Sequence, residues 1–287
     1  MPIEKESAGM KYGLDVSITG AYAQAELLTD LAALAEESGW DGFFVQDCLL
    51  APRGETLIDP WVALGAIARS TSRVRIGALM TPLAAYLPWQ VARQCVALDH
   101  LSAGRLIFGA GLGFLPEDFE AVGEDATPSV RAEKLDEGLA ILRLFWQGEP
   151  FSFEGKRYQI RQAQLLPKPV QRPSIPIWTA CYWPHRKPLR RAAAFDGLYI
   201  GSLKADGASL TPADLREAVA YAQSQRLDDT APFDVAFAGE TEAASGADVA
   251  RPYAEAGATW WLEGIWIERG SPEQLRARIQ QGPPRIG

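Results

Sequence analysis

The residues best suited to bind an anion lie in one short segment, 182–187, which reads YWPHRK. A predicted helix that carries Arg190 and Arg191 follows it. The free amide groups and the positive end of a helix favour a phosphate, and an arginine can grip two of its oxygens. A solvated basic helix face would explain the same residues. The segment therefore predicts either a phosphate site or an exposed cationic surface.

An acid and a thiol, Asp47 and Cys48, stand together at the end of a predicted strand. At such a position an acid can contact a ligand, although a loop-capping hydrogen bond explains it equally well. A cysteine is nucleophilic only where a helix terminus or a cation lowers its pKa, and otherwise it packs as a small apolar residue. Both residues are candidates for catalysis, with a structural role as the alternative.

The rest of the chain is poor in catalytic side chains. It has two histidines, His100 and His185, and three cysteines without metal-ligand spacing. These residues cannot be combined convincingly into a zinc site, an HExxH helix or a histidine-centred triad, so we expect no metal. His100 continues an apolar helical stripe, which favours a structural role. A protein of this kind can instead hold an organic cofactor that supplies the reactivity.

Strand and helix patterns alternate eight times from Met10 onward, which is the number that a closed parallel barrel needs. We therefore predict an α/β fold, a single (β/α)8 TIM barrel, with its functional residues at the carboxyl ends of the strands. The predicted strands are 11–18, 42–46, 74–79, 105–108, 175–180, 197–200, 234–238 and 259–263. A doubly wound sheet is the rival fold, but its dinucleotide motif fails because Phe114 stands where a third glycine is required.

The segment 92–113 joins an amphipathic helix to a buried strand that ends in glycines. Cys95 and Leu98 recur at helical spacing, and the apolar run after them lacks alternation, which is typical of a strand covered on both faces. Gly109, Gly111 and Gly113 then bring bare backbone to the carboxyl end of that strand. We expect a ligand site there.

Local signals mark where helices begin and where the repeat is interrupted. An N-cap residue followed by proline starts three helices, at Asp59-Pro60, Thr211-Pro212 and Ser271-Pro272. Insertions are predicted after strand 4, at 114–128, and between helix 4 and strand 5, at 148–174. The second insertion contains a hairpin signal around Glu154-Gly155.

Composition limits the class of protein. The chain has 287 residues, of which 47% are hydrophobic, and a net charge of −8. This is enough for one barrel domain over 10–287, preceded by a flexible tail over 1–9. The negative charge argues against nucleic acid or an anionic membrane as a partner. Unpaired cysteines and the lack of a signal peptide or an 18-residue apolar run favour the cytoplasm.

Seven strings, in order over nearly the whole chain, resemble the bacterial-luciferase-like flavin-dependent oxidoreductases. The strings are EESGWDGFFVQD, DPWVALGAIARSTSRVRIGALMTPLA, ALDHLSAGRLIFGAGLG, VRAEKLDEGLAIL, GEPFSFEGKRYQI, LPKPVQRPSIPIWTA and FDGLY. The resemblance implies a (β/α)8 barrel that holds FMN or the deazaflavin coenzyme F420 at its carboxyl-end mouth. It also implies a homodimer.

The resemblance further implies roles for individual residues. By motif position, Leu79, Met80 and Thr81 form a bulge that supports the isoalloxazine ring, Gly109 and Gly111 let the backbone approach the cofactor, and Ala180, Cys181 and Arg186 belong to the phosphate loop. Many relatives have Asp-His where this chain has Asp47-Cys48. Because a thiol differs from an imidazole in pKa and donates weakly, histidine-type proton transfer does not carry over.

These observations support three hypotheses about function. The first is a monooxygenase that uses reduced FMN and O2 on a small organic substrate and depends on a separate flavin reductase. The second is an F420-dependent reductase or dehydrogenase that transfers hydride. The third is a flavin-binding protein without turnover, which the replacement of histidine by Cys48 motivates.

Overall fold

The computed structural model describes residues 9–51, 54–204, 207–242 and 246–286. The predicted tail over 1–9 lies, except for Gly9, outside the described residues. In the described part of the chain, no helix is both long and apolar enough to cross a membrane.

Strands and helices alternate along most of the chain. The strands are β1 (Lys11–Val16), β2 (Gly42–Val45), β3 (Arg75–Ala78), β4 (Thr81–Pro82), β5 (Phe108–Gly111), β6 (Phe151–Glu154), β7 (Gln159–Ala163), β8 (Ile177–Trp183), β9 (Gly197–Ser202), β10 (Asp234–Gly239) and β11 (Trp260–Ile265). The helices are α1 (Ala25–Glu37), α2 (Pro60–Ser70), α3 (Pro88–Leu101), α4 (Pro116–Ala121), α5 (Pro128–Gln147), α6 (Arg186–Ala192), α7 (Pro212–Ser224), α8 (Ala247–Glu255) and α9 (Pro272–Gln280).

The main sheet is parallel and curls into a barrel. Its strand order is β3-β2-β1-β11-β10-β9-β8-β5-β4. Two backbone hydrogen bonds join its ends: Ile76 N donates to Arg105 O at 3.1 Å, and Ile107 N donates to Ile76 O at 2.9 Å. We call this junction the seam. The predicted α/β barrel is confirmed.

Aromatic side chains fill the inside of the barrel. Phe44, Trp178 and Trp260 are fully buried, and their ring centroids lie 5.5 to 5.7 Å apart in tilted and edge-to-face arrangements. Edge-to-face pairs of this kind add about 0.5–1.5 kcal/mol each beyond the burial of apolar surface. This aromatic plug makes the interior a packed core rather than a pore.

The helices cover the outside of the barrel as the apolar stripes predicted. On α3, Cys95 and Leu98 are buried against the core. His100 lies on the exposed side of that helix, and its Nε2 is 2.8 Å from the carbonyl oxygen of Lys168. A backbone contact of this kind agrees with a structural histidine.

The predicted helix starts and insertions are confirmed. The Asp59 side chain accepts a hydrogen bond from Val62 N at 2.9 Å, and Thr211 and Ser271 each form a capping box. The first insertion contains α4. The second contains the antiparallel β6–β7 hairpin, whose tip donates three backbone hydrogen bonds to the Glu137 carboxylate.

The predicted bounds of the fourth and fifth barrel strands are wrong by up to three residues. The fourth barrel strand is β5, Phe108–Gly111, rather than 105–108, because 106 pairs with Ile76 only in an isolated bridge. The third predicted strand, 74–79, is observed as β3, and after a break of two residues the chain rejoins the sheet as β4. The fifth, β8, continues to 183 instead of ending at 180. Gly109 and Gly111 therefore lie inside a strand and not beyond its end.

Arg105 stabilises the chain segments next to the seam. Its buried guanidinium donates to Ser102 O, Thr71 Oγ1, Val74 O, Ala68 O and Thr71 O at 2.8 to 3.0 Å. Arg105→Met is expected to lower the free energy of unfolding by about 3 kcal/mol or more, because it leaves several buried acceptors unpaired. Equilibrium denaturation would measure this loss. The exposed Arg69→Met serves as control, and equal effects of the two substitutions would contradict the prediction.

Candidate functional site

The third barrel strand is broken at the carboxyl end of the barrel. Between β3 and β4 the chain passes through Leu79 and Met80, which are joined by a cis peptide bond. Leu79 packs into the interior beside the aromatic plug, Met80 is half-buried, and Thr81 is fully buried. The predicted bulge around these three residues is therefore present at the barrel mouth.

Two glycines of β5 fit closely against this bulge. A Cβ atom at Gly109 would lie 2.5 Å from the carbonyl oxygen of Ala78 and 2.5 Å from Cδ2 of Leu79. At Gly111 a Cβ atom would lie 3.3 Å from the Cβ of Met80 and 3.5 Å from that of Ala180. Because the first two distances are too short for non-bonded atoms, Gly109 is needed for the bulge to pack. The structure thus places both glycines beside the bulge and β8.

Asp47 is a buried acid next to the bulge. Its Oδ1 accepts a long hydrogen bond of 3.4 Å from Tyr86 Oη, and its Oδ2 has no partner among the described residues. Burial raises the pKa of Asp47 to about 7, despite the lowering influence of Thr81 and Tyr86, and Asp59 raises it further. The hydroxyl of Thr81 is likewise buried without a hydrogen-bond partner in the described part of the chain. Asp47 can therefore hold or release a proton near neutral pH.

Cys48 keeps its proton under the same conditions. The residue is half-buried, and burial together with the charges of Asp47 and Asp118 raises the pKa of the thiol to about 11. A thiol in this state is neither an effective nucleophile nor a base at neutral pH. A catalytic part for Cys48 stays a prediction, restricted to a protonated thiol.

The residues predicted for the phosphate loop lie on different faces of β8. Ala180 is half-buried on the inward face, which it shares with Trp178. Cys181 points outward into the helix layer, where its Sγ lies 3.7 Å from Thr179 O and burial raises its pKa to about 12. Only the backbone of Cys181 could therefore contact a ligand in the mouth.

Arg186 is exposed at the start of α6, just after β8. Its Cζ lies 4.5 Å from the ring centroid of Tyr221 and 5.7 Å from that of Trp183. No ion pair involves it within the described residues. Stacking on two rings restricts the guanidinium while leaving its hydrogen-bond donors available, an arrangement suited to binding phosphate oxygens.

A second buried acid, Asp15, was missed by the sequence reasoning. It lies on the inward face of β1, where it accepts a 2.9 Å hydrogen bond from Tyr199 Oη of β9. Burial raises its pKa to about 6. The search for candidates at strand ends does not reach it, because Asp15 lies within β1 and not beyond its end. The available signal was a charged residue in an otherwise apolar strand that is covered on both faces.

Glu263, a buried acid within β11, has a structural role. It is fully buried on the outward face and accepts hydrogen bonds from Thr241 N, Thr241 Oγ1, Trp261 Nε1 and Arg269 Nη1 at 2.7 to 3.1 Å. Arg278 forms an ion pair with it at 3.4 Å. Because both of its oxygens are fully used, Glu263 fixes the loops after β10 and β11 rather than serving the mouth.

The family model of luciferase-like monooxygenases matches residues 12–282. The chain belongs to this family. The match extends from β1 beyond α9, so it includes the bulge, the β5 glycines and the β8 loop. The luciferase-like chain is therefore of an oxidoreductase family, and the resemblance found in the sequence is confirmed.

Curated relatives of this luciferase-like protein match part of its length. An uncharacterized protein of Mycobacterium tuberculosis is 31% identical over 191 residues, which cover 58% of this chain and 64% of the relative. An F420-dependent glucose-6-phosphate dehydrogenase of Amycolatopsis mediterranei is 30% identical over 161 residues, covering 55% and 48%. The matched segments thus span less than two thirds of these relatives.

Solved structures share the fold of the luciferase-like chain over more of its length. An F420-dependent secondary alcohol dehydrogenase in complex with an F420–acetone adduct superposes with a TM-score of 0.79 at 17% identity, covering 97% of this chain and 100% of the other. The oxygenating constituent of the 3,6-diketocamphane monooxygenase of Pseudomonas putida, in complex with FMN, gives 0.67 at 18%, covering 81% and 67%. At these identities the comparison establishes the fold alone.

The residues at the mouth of the luciferase-like barrel fit a coenzyme with a flat polar ring and a phosphate. Asp47 Oδ2 and Thr81 Oγ1 are buried without hydrogen-bond partners in the part of the chain that the structure describes. Buried polar atoms normally have partners, and the NH and carbonyl groups at the edge of such a ring could supply them. Arg186 is exposed and could supply a cation for a phosphate, and the phosphate site in the segment 182–187 stays a prediction.

Proposed function

We propose that this luciferase-like protein is an oxidoreductase that transfers hydride between coenzyme F420 and a small organic substrate at the barrel mouth. Asp47 carries this proposal, because it is buried beside the bulge with an unpartnered Oδ2 and a pKa of about 7. Hydride transfer to or from a carbon–oxygen bond is accompanied by a proton. A group that titrates near neutral pH is suited to take up or release that proton.

The residues at the mouth have distinct tasks in this proposal. Leu79, Met80 and Thr81 support the ring, and the β5 glycines keep the bulge in place. Arg186 and the backbone at Ala180 and Cys181 hold the phosphate. The coenzyme, when bound, supplies a carbon that accepts or donates hydride.

Asp47 takes over the proton transfer for which Cys48, at the position of the common histidine, is unsuited. With a pKa of about 7, both the protonated and the ionised forms of Asp47 are populated near neutrality. Cys48, whose pKa is raised to about 11, remains a neutral neighbour. Proton transfer is therefore assigned to the carboxyl group and not to the thiol.

F420 is preferred over FMN because of one relative. The Amycolatopsis mediterranei protein, which is 30% identical over 161 residues, is an F420-dependent dehydrogenase. That match covers 48% of the relative, so its substrate is not transferred to this chain.

The second candidate is a monooxygenase that uses reduced FMN and O2, with a separate flavin reductase as partner. The description of the matching family, luciferase-like monooxygenase, favours it. The same bulge and the same Arg186 would hold FMN. A homodimer is proposed for either activity on the basis of the family resemblance.

Titration of the purified protein with F420 and with FMN tests the proposal. We expect the fluorescence of F420 to change on binding, with a dissociation constant at least tenfold lower than that of FMN. Exclusive binding of FMN would overturn the proposal and favour the monooxygenase. Binding of either coenzyme without turnover on any alcohol, ketone or O2-dependent substrate would favour a flavin-binding protein without activity.

Arg186→Gln is expected to weaken binding of the anionic coenzyme about tenfold or more, since it removes a charged donor to phosphate. The loss should shrink at high ionic strength, because salt screens exposed charges. Arg216→Gln, which removes an exposed cation from α7, is the matched control. Equal affinity of the two variants would contradict the assignment of Arg186 to the phosphate.

A further inference from the structure

We propose that Asp15, Tyr199 and Trp266 form a binding site for a hydroxyl group of the substrate, at the inner end of a cavity in the barrel mouth. The site is distinct from the bulge and from Asp47. The inference rests on the proposed function for the reaction that follows, but hydroxyl binding itself can be measured without the coenzyme.

Asp15 and Tyr199 meet across the inside of the barrel. β1 and β9 are separated by β11 and β10 in the sheet, so the 2.9 Å hydrogen bond between the two side chains spans the interior. Asp15 lies further toward the carboxyl end of β1 than Lys11, the register partner of Trp260. Tyr199 likewise lies beyond Gly197, the register partner of Trp178. The pair therefore sits above the aromatic plug.

Two polar atoms at this place lack partners. Asp15 Oδ1 and Trp266 Nε1 are both buried, and neither has a hydrogen-bond partner among the described residues. The indole lies close enough to favour the charged form of Asp15, although its geometry falls short of a hydrogen bond. Leaving a buried donor and a buried acceptor unpaired costs about 1–3 kcal/mol each. A ligand that satisfies both atoms removes that cost.

A cavity ends at two aromatic side chains beside this pair of atoms. Its volume is about 520 Å³, and Tyr199 and Trp266 both line it, together with Ala238 and Glu240. Gly201 and Gly239 also line the cavity, and neither has a side chain that would fill it. At Gly239 a Cβ atom would overlap the Trp261 ring. Asp15 is 1% exposed and does not line the cavity itself, but both Tyr199 and Trp266, which do, lie next to its carboxyl group. A ligand in the cavity therefore meets the Trp266 indole first, with the Asp15 carboxyl group next to it.

The two unpartnered atoms select the chemistry of the ligand. A hydroxyl group can donate to Asp15 Oδ1 and accept from Trp266 Nε1 at the same time. A carbonyl group can only accept, which leaves the ionised carboxylate unpaired. A carboxylate ligand is repelled by Asp15, and an ammonium group leaves the indole NH without an acceptor. The site therefore fits a neutral alcohol.

Binding should depend on the protonation of Asp15. The described titratable side chains that act on it are Tyr199 from β9 and Tyr182 from β8, and the pKa of each is raised above its ordinary value of 10.0. Both tyrosines are therefore neutral between pH 5 and 8. Asp15, with a pKa of about 6, ionises in that range and becomes a stronger acceptor for a hydroxyl.

The test uses the purified protein, labelled with ¹⁵N at tryptophan, and three probes: cyclohexanol, cyclohexanone and methylcyclohexane. We expect cyclohexanol to shift the indole signal of Trp266, which Trp266→Phe identifies, and to bind at least tenfold more tightly than the other two. Its affinity should rise about tenfold from pH 5 to pH 7, as the ionised fraction of Asp15 increases. Cyclohexanone should show no such rise.

Substitutions test whether Asp15 causes the pH dependence of cyclohexanol binding. In Asp15→Asn the rise should disappear and the affinity for cyclohexanol should fall about tenfold. Glu240→Gln, which removes a carboxylate from the same cavity, should leave both unchanged. Asp47→Asn should keep the rise, because Asp47 is the other acid that titrates near neutrality. Thermal unfolding of each variant verifies that it is folded.

Two results would overturn the inference. The first is that cyclohexanol does not shift the Trp266 signal, as expected if a bound water occupies the site instead. The second is that the affinity for cyclohexanol still rises with pH in Asp15→Asn. Failure of the proposed function looks different. If F420 does not bind but cyclohexanol does, the hydroxyl site stands and the reaction must be reassigned. If F420 binds and the alcohols do not, the reaction stands and this site does not.

Discussion

Asp47→Asn is expected to lower turnover roughly 100- to 10,000-fold while making the protein more stable at pH 8. General acid–base catalysis contributes about that factor, and asparagine cannot exchange a proton. Stability changes in the opposite direction, because the variant no longer has to bury a carboxylate whose Oδ2 lacks a partner in the described chain. A residue with only a structural role would not separate the two effects.

The raised pKa of Asp47 predicts how the stability of the wild-type protein changes with pH. The pKa of Asp47 is about 7 in the folded protein and near the ordinary 3.8 in the unfolded chain. The folded state therefore binds the proton more tightly, and the free energy of unfolding falls as the pH rises from about 4 to about 7. Above pH 7 the buried carboxylate is charged in the folded state, and the full free-energy cost of burying that charge lowers the stability. Asp47→Asn should remove this decline.

Steady-state rates and thermal unfolding, both measured from pH 5 to pH 9, test the prediction. In the wild type, kcat for oxidation of an alcohol should rise with an apparent pKa of about 7, since the base must be ionised. Asp118→Asn, which removes a partly exposed acid near Cys48, should change kcat by no more than a few-fold. Wild-type turnover in Asp47→Asn would exclude Asp47 as the proton-transferring group.

Gly77→Ala is expected to reduce the free energy of unfolding by about 3 kcal/mol or more, or to prevent folding. A Cβ atom at this position of β3 would overlap the carbonyl oxygen of Ile107, across the seam. Backbone atoms cannot move aside as a flexible side chain can, so the two ends of the sheet would have to separate. The hydrogen bonds of Ile76 that join the ends would weaken at the same time.

Gly65→Ala is the matched control for this substitution. Gly65 lies within α2, and a Cβ atom there would meet nothing within 4 Å. Alanine should therefore stabilise the helix by about 0.5–1 kcal/mol. Urea denaturation of the two variants measures the contrast. A Gly77→Ala protein as stable as the wild type would mean that the seam does not constrain the barrel.

Much of the barrel could be predicted from local patterns. Proline after an N-cap residue is a signal that a few adjacent residues carry, so the starts of α2, α7 and α9 were placed correctly. The position of β5 could not be predicted in this way. Its bounds follow from its pairing with β4 and β8, and pairing between distant parts of the chain leaves no periodic pattern in the sequence.

The mouth was predicted only in part for the same reason. Asp47 was found because strand ends in a barrel face the ligand site. Asp15 was missed because its importance comes from Tyr199, which is 184 positions away in the chain. That Cys48 would be neutral also could not be predicted, because burial and the neighbouring acids that raise its pKa to about 11 are properties of the folded state.

The aromatic plug of Phe44, Trp178 and Trp260 determines how ligands enter and leave the barrel. Because these fully buried rings pack together inside the barrel, molecules that enter the mouth must leave by the same opening. A substrate seated at Asp15 would occupy the inner end of this blind passage. A ligand that binds nearer to the opening would then have to bind after this substrate and dissociate before it. The closed inner end of the barrel would in this way fix the order of binding and release.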